Sequence, residues 1–226
     1  MNHSDLLIIG DSFCSDRYGR STWPKLVSTN LLNLSYESKI VAKGCGYAGA
    51  SWWSTRKELL KHIKEHTPKV AIFCHTEPHR LPHNNDYALN IGTVDAKTIF
   101  RCDGAEFINI NNRRLLTAAA LYYEQLQVHD YNLWAITQWF KELDELTANI
   151  EKVLHFYSLI GPYNDYTFNK GVTFGDSLKN YAVPNHLSAG NHFSIANNLK
   201  LAKIILNCIN NYPGDGIRIA DKLITT

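Results

Sequence analysis

Four short apolar runs punctuate the chain: Leu6-Leu7-Ile8-Ile9, Ile40-Val41-Ala42, Val70-Ala71-Ile72-Phe73-Cys74 and Val153-Leu154-His155-Phe156-Tyr157. Unbroken rather than alternating apolarity is the mark of a parallel strand covered by helices on both faces. Between the runs the period becomes helical. Trp23-Pro24 opens one helix, since proline suits a first turn. Thr55 and Glu58 form a capping box ahead of Leu59, Leu60 and Ile63. Leu133, Ile136, Phe140, Leu143 and Ile150 keep near-helical spacing. Ile195, Leu199, Ala202, Leu206 and Ile209 form the apolar stripe expected of a last helix, with Ser188 as its N-cap. Strands alternating with helices predict a three-layer α/β/α fold with a flavodoxin-like, mostly parallel sheet. Residues 78–112 interrupt the rhythm with Pro, Asn and Gly and two short β-like runs, Thr98-Ile99-Phe100 and Glu106-Phe107-Ile108, which reads as an inserted hairpin or lid. Val172-Thr173-Phe174 is a weak, short strand candidate, and Gly175-Asp176-Ser177 after it reads as a turn. The expectation is a single domain over residues 1–226.

Composition narrows the function classes. The 226 residues are 45% hydrophobic, enough for a sizeable core. Twenty-three Lys and Arg against 21 Asp and Glu leave a net charge of +2, with the basic residues scattered. No strong field draws in nucleic acid or an anionic membrane. The five cysteines include no CxxC spacing, so neither a zinc site nor a disulfide framework is indicated. With no apolar stretch of signal or membrane-spanning length, the expected setting is a cytoplasm.

In an open α/β sheet, ligands bind at the carboxyl ends of the strands. Gly10-Asp11-Ser12 ends the first strand and brings a hydroxyl there. A loop rich in small residues, Gly44 to Ser51, follows the second and lets backbone N–H groups approach a ligand. His75-Thr76-Glu77 follows the third, and Asn185-His186-Leu187-Ser188 precedes the last helix. A hydroxyl nucleophile, amide donors for an oxyanion and a histidine base on one edge are the minimum set for acyl transfer.

These residues resemble a known pattern. Leu7-Ile8-Ile9-Gly10-Asp11-Ser12 is similar to the first block of the SGNH (GDSL-type) hydrolase superfamily, Gly46-Tyr47-Ala48-Gly49-Ala50-Ser51 to its second, and His186 through Ala196 to its last. The resemblance spans nearly the whole chain in the family's order. It implies Ser12 as nucleophile, the backbone N–H groups of Ser12 and Gly49 as oxyanion donors, Asp11 as a holder of the nucleophile's loop, and His186 as base. His192 is the rival base, ranked lower because a position on the first turn of the last helix would aim it along the packed face or into solvent. Two positions depart from the family. Its third block ends in Gly-x-Asn, whose amide completes the oxyanion hole, whereas this chain reads His75-Thr76-Glu77. The family's Asp three residues before the catalytic His is Val183. Thr76, His75, Asn84 or Asn85 would have to supply the missing donor, and a Ser–His dyad would replace the triad.

The resemblance implies a serine esterase acting on a small acyl ester, with an O-acetyl group on a carbohydrate as the favoured class and no cofactor. A catalytically impaired binding protein of the same fold is the alternative. A nucleotide-binding protein is a second one, because Gly44-x-Gly46-x-x-Gly49 follows a strand. That fingerprint lacks its acidic residue about 20 positions on. His75, His79 and His83 recur at four-residue spacing, but Pro78 and Pro82 forbid the helix that would stack them, so no metal site is assigned. Cys14 carries no mark of a reactive thiolate.

Overall fold

The first apolar run becomes strand β1 (Leu6–Gly10), buried on both faces as its continuous apolarity requires. The computed structural model describes residues 5–14, 21–33, 38–40, 51–82, 88–89, 117–159, 161–183, 192–219 and 223. Within them follow helix α1 (Trp23–Asn33), β2 (Ser38–Ile40), α2 (Trp52–Glu65), β3 (Val70–His75) and the short strands β4 (Leu81–Pro82) and β5 (Ala88–Leu89). After these come α3 (His129–Thr147), β6 (Lys152–Tyr157), β7 (Val172–Ser177), α4 (Ile195–Asn210) and β8 (Ile217–Ile219). The main sheet has the order β2-β1-β3-β6-β7-β8, and every neighbouring pair is parallel. Chain order reverses beside β1, which creates a crevice between the carboxyl ends of β1 and β3.

Alternation along the strands builds two cores. Leu6 and Ile8 of β1 face α1 and α4, packing with Trp23, Val27, Leu31, Leu201 and Ile205. Leu7 and Ile9 face the opposite layer, with Leu59 of α2 and Ile136, Phe140 and Leu143 of α3. Each fully buried side chain of this size contributes about 1.5–3 kcal/mol. The result is the expected three-layer α/β/α architecture. β4 and β5 pair antiparallel inside the segment expected to be a hairpin or lid; Thr98–Phe100 and Glu106–Ile108 lie outside the described residues. No helix among the described residues is long and apolar enough to cross a membrane.

Three local expectations are corrected. Helix α2 begins a turn earlier than a Thr55 cap implies: Ser51 is the N-cap and its hydroxyl accepts from the Ser54 N–H, while the Thr55 hydroxyl donates back to Ser51 O. Val172–Ser177 is a full strand inside the sheet rather than a weak candidate and a turn. Its polar end survives because the Asp176 carboxylate accepts from Ser177 N–H, Asn180 and Tyr181. The buried stripe of α4 is Asn198, Leu201, Ala202, Ile205, Cys208 and Ile209, with Ile195 and Leu199 exposed. Asn198 explains the rotation, since its Oδ1 accepts the Trp23 N–H at 2.8 Å and a polar side chain thereby occupies a core position.

Candidate active site

At the carboxyl end of β1 the chain turns immediately. Gly10 lies so close to β3 that a Cβ there would meet Cys74 O at 2.5 Å. Asp11 is fully buried and shapes the next residues: its Oδ1 accepts the Phe13 N–H at 3.0 Å and its backbone O accepts the Cys14 N–H at 3.1 Å. This side-chain-to-backbone bond folds Ser12–Cys14 into a 3₁₀ turn. Trp23 Nε1 then donates to Phe13 O at 2.8 Å, tying the turn to α1. Cys14 is buried with its thiol donating to Asp11 O, and burial pushes its ionisation well upward, which leaves it inert as a nucleophile.

Ser12 Oγ lies 2.7 Å from His192 Nε2. The imidazole at the serine is thus the lower-ranked His192; His186 lies outside the described residues, as does Gly49. The sequence misplaces His192 because its pattern starts the last helix too early. Ser194, not Ser188, caps α4, its hydroxyl accepting the Asn197 N–H at 3.1 Å. His192 therefore sits before the helix, in the left-handed region at φ 68°. Val183 N–H donates to its carbonyl at 2.8 Å, and its ring packs on Phe13 with centroids 4.8 Å apart. Burial lowers the His192 pKa, the Arg80 guanidinium lowers it further, and Asp11 opposes both. A neutral ring with Nε2 as acceptor can take the serine proton.

The residues after β3 separate into different roles. His75 turns into the core, where Nε2 lies 3.0 Å from His155 Nδ1 among Phe73, Phe140 and Phe168. It is not placed to touch a substrate. Glu77 Oε1 accepts from Arg80 Nε at 3.0 Å, and Arg80 Nη2 stands 3.5 Å from Asp11 Oδ2. Thr76 is buried, and its Oγ1 has no hydrogen-bond partner among the described residues. It lies two residues past the Gly10–Cys74 register pair, beside the nucleophile's turn. Asn84 and Asn85 lie outside the described residues.

Arg80 and His155 are site and core residues that sequence patterns do not single out. Arg80 had one available signal, its position three residues after Glu77 at a strand exit, which suits an ion pair. His155 had none, being embedded in an apolar run. Among the described residues, no cluster of three or more His, Cys, Asp or Glu side chains is arranged to hold a metal ion. A cavity of about 230 Å³ lies between α4 and β8, lined by Phe174, Ile204, Cys208 and Leu223, and none of the Ser12 site residues borders it. No protein-family model, no curated protein and no solved structure matches the chain.

Proposed function

We propose that this protein is a serine hydrolase of the SGNH type that cleaves a small acyl ester, an O-acetyl group on a carbohydrate being the favoured class. The observation that carries this reading is the 2.7 Å approach of Ser12 Oγ to His192 Nε2 at the crevice between β1 and β3. Ser12 Oγ attacks the ester carbonyl while His192 Nε2 takes its proton. The resemblance assigns the oxyanion to the backbone N–H groups of Ser12 and Gly49, and the buried Thr76 hydroxyl, unpartnered among the described residues, is a candidate to share that load. His192 returns the proton to the departing alkoxide as the tetrahedral intermediate collapses. In the second half, His192 deprotonates a water that attacks the acyl-serine, and Ser12 is regenerated. The free thiols of Cys14, Cys74 and Cys208 support a reducing, cytoplasmic setting.

A fluorophosphonate probe and p-nitrophenyl acetate test the reading together. Wild-type protein is expected to be labelled on Ser12 and to turn over the ester. Ser12→Ala is expected to lose both with an unchanged circular dichroism spectrum. An unlabelled, inactive wild type would favour the binding-protein alternative, and retained turnover in Ser12→Ala would remove the nucleophile.

A further inference from the structure

A Ser–His pair needs something to stabilise the imidazolium formed when the serine proton moves. The residue three positions before His192 is Ala189, and three before His186 is Val183, so neither offers the family's carboxylate. Nε2 of His192 is engaged by Ser12, so Nδ1 is the ring nitrogen that a triad carboxylate would hold. Among the described residues, a buried carboxylate lies in the nucleophile's own turn. Asp11 is 0% exposed, adjoins Ser12 in sequence, and is locked by the N–H of Phe13, on whose ring His192 packs.

We propose that Asp11 supplies from the nucleophile's turn the negative charge that a triad carboxylate would otherwise provide to His192, with Arg80 and Glu77 setting how much of that charge is felt. The proposal rests on the Ser12–His192 chemistry above. Its logic is electrostatic rather than a direct hydrogen bond. A buried carboxylate acts through a medium that screens poorly, so it favours the imidazolium without touching it. Arg80 opposes this, but its guanidinium is shared. Glu77 takes Nε at 3.0 Å, while Asp11 Oδ2 is approached only to 3.5 Å and accepts no hydrogen bond among the described residues. Among the described residues, Glu77 and Asp11 thus share the one Arg80 guanidinium. Glu77, which departs from the family's Asn, thereby has a role of its own: it draws Arg80 away from full neutralisation of Asp11.

Among the described residues, two further titratable groups beside Asp11 stay neutral near pH 7. The Tyr163 hydroxyl is pushed upward by burial and by Glu77 and Asp11, and the Cys14 thiol, beside Cys74, is pushed upward by burial. The first turn of α4 has no acidic residue. The direction of the two largest charges on His192 agrees with the geometry, Asp11 raising its pKa and Arg80 lowering it.

The test is a proton NMR titration of the His192 ring, assigned with His192→Gln, alongside the pH dependence of ester turnover. Asp11→Asn keeps the acceptor for the Phe13 N–H and is expected to lower the His192 midpoint, moving the acid limb of kcat to lower pH. It should also reduce kcat by about ten- to a hundredfold, short of the ~10⁴ lost with a directly bonded triad carboxylate. Arg80→Gln is expected to raise the midpoint. Glu77→Gln, the mildest change, releases Arg80 toward Asp11 and is expected to lower it, which keeps the test open if Arg80→Gln does not fold. Midpoints that stay put in Asp11→Asn, or that move the same way in Asp11→Asn and Arg80→Gln, overturn the proposal. Turnover persisting in Ser12→Ala would instead overturn the hydrolase reading, while the titration would still decide whether Asp11 acts on the His192 ring.

Discussion

Ser12 Oγ and His192 Nε2 meet at 2.7 Å across a sequence separation of 180 residues, joining the end of β1 to the loop ahead of α4. The contact depends on two local choices: the Asx turn that presents Ser12, and the left-handed backbone of His192 that turns its ring back over Phe13.

The two histidines nominated as bases are separable by substitution. His192→Gln is expected to lower kcat for p-nitrophenyl acetate by at least about 10³-fold, the scale of losing a unit of a serine–histidine pair. His186→Gln should leave kcat close to wild type. The reverse outcome would return the base to His186.

What is legible in the chain, and what is not, follows from the range of the forces involved. β1, β3 and β6 are buried on both faces, so their composition alone announces them, and the layered architecture follows from strand–helix alternation. β7 hides because half of it is polar and is satisfied by partners such as Asn180, Tyr181 and Leu223, two of them in the turn beyond its end. Ser12 is readable from its place after a core strand. His192 is not, because the start of α4 is set by Ser194, one cap among several serines and asparagines that the sequence does not rank. Arg80 stays hidden because a buried cation is identifiable only once carboxylates such as Glu77 and Asp11 are in view beside it.

Gly10 is the close approach of β1 to β3. A methyl group there would meet Cys74 O at 2.5 Å and Cys74 Cβ at 2.6 Å, both in a strand that cannot yield easily. Gly10→Ala is expected to cost about 1–3 kcal/mol of stability and to shift Ser12 out of reach of His192. Urea unfolding reads the first effect. Loss of fluorophosphonate labelling in the folded protein reads the second.

His75 and His155 make the protein acid-sensitive. His155 Nε2–H donates to Lys170 O at 2.9 Å, which leaves its Nδ1 to accept from His75 Nε2–H. Burial pushes the pKa of His155 down to about 3 and that of His75 well below its usual value, with His155 adding to the effect. In the unfolded chain each titrates near 6.5. Below that pH the unfolded chain binds protons that the folded protein refuses. Stability is therefore full above pH 6.5 and falls as pH drops toward the folded-state values, by up to about 1.4 kcal/mol per pH unit for each histidine. Urea midpoints between about pH 7 and 5, above the range where carboxylates titrate, should decline accordingly; a flat profile would contradict the neutral pair.

Asn198 clamps the helical layer that carries His192. Its Oδ1 accepts the Trp23 N–H at 2.8 Å, and its Nδ2 donates to Ser194 O at 3.1 Å, so one buried amide joins the first turn of α1 to the cap of α4. Asn198→Ala leaves the Trp23 N–H buried without that acceptor, at a cost of about 1–3 kcal/mol, and opens space beside Trp23. Because the Ser194 cap stands two residues from His192, the same substitution should loosen the dyad as well as the fold. The expected result is a lower urea midpoint together with a reduced kcat at a temperature where the variant remains fully folded. Asn198→Asp keeps the acceptor for Trp23 but loses the donor to Ser194. It should recover most of the α1 contribution while leaving the cap weakened, so stability and kcat are expected to part company between the two variants. Equal recovery of both would mean that the clamp reaches His192 only through global stability.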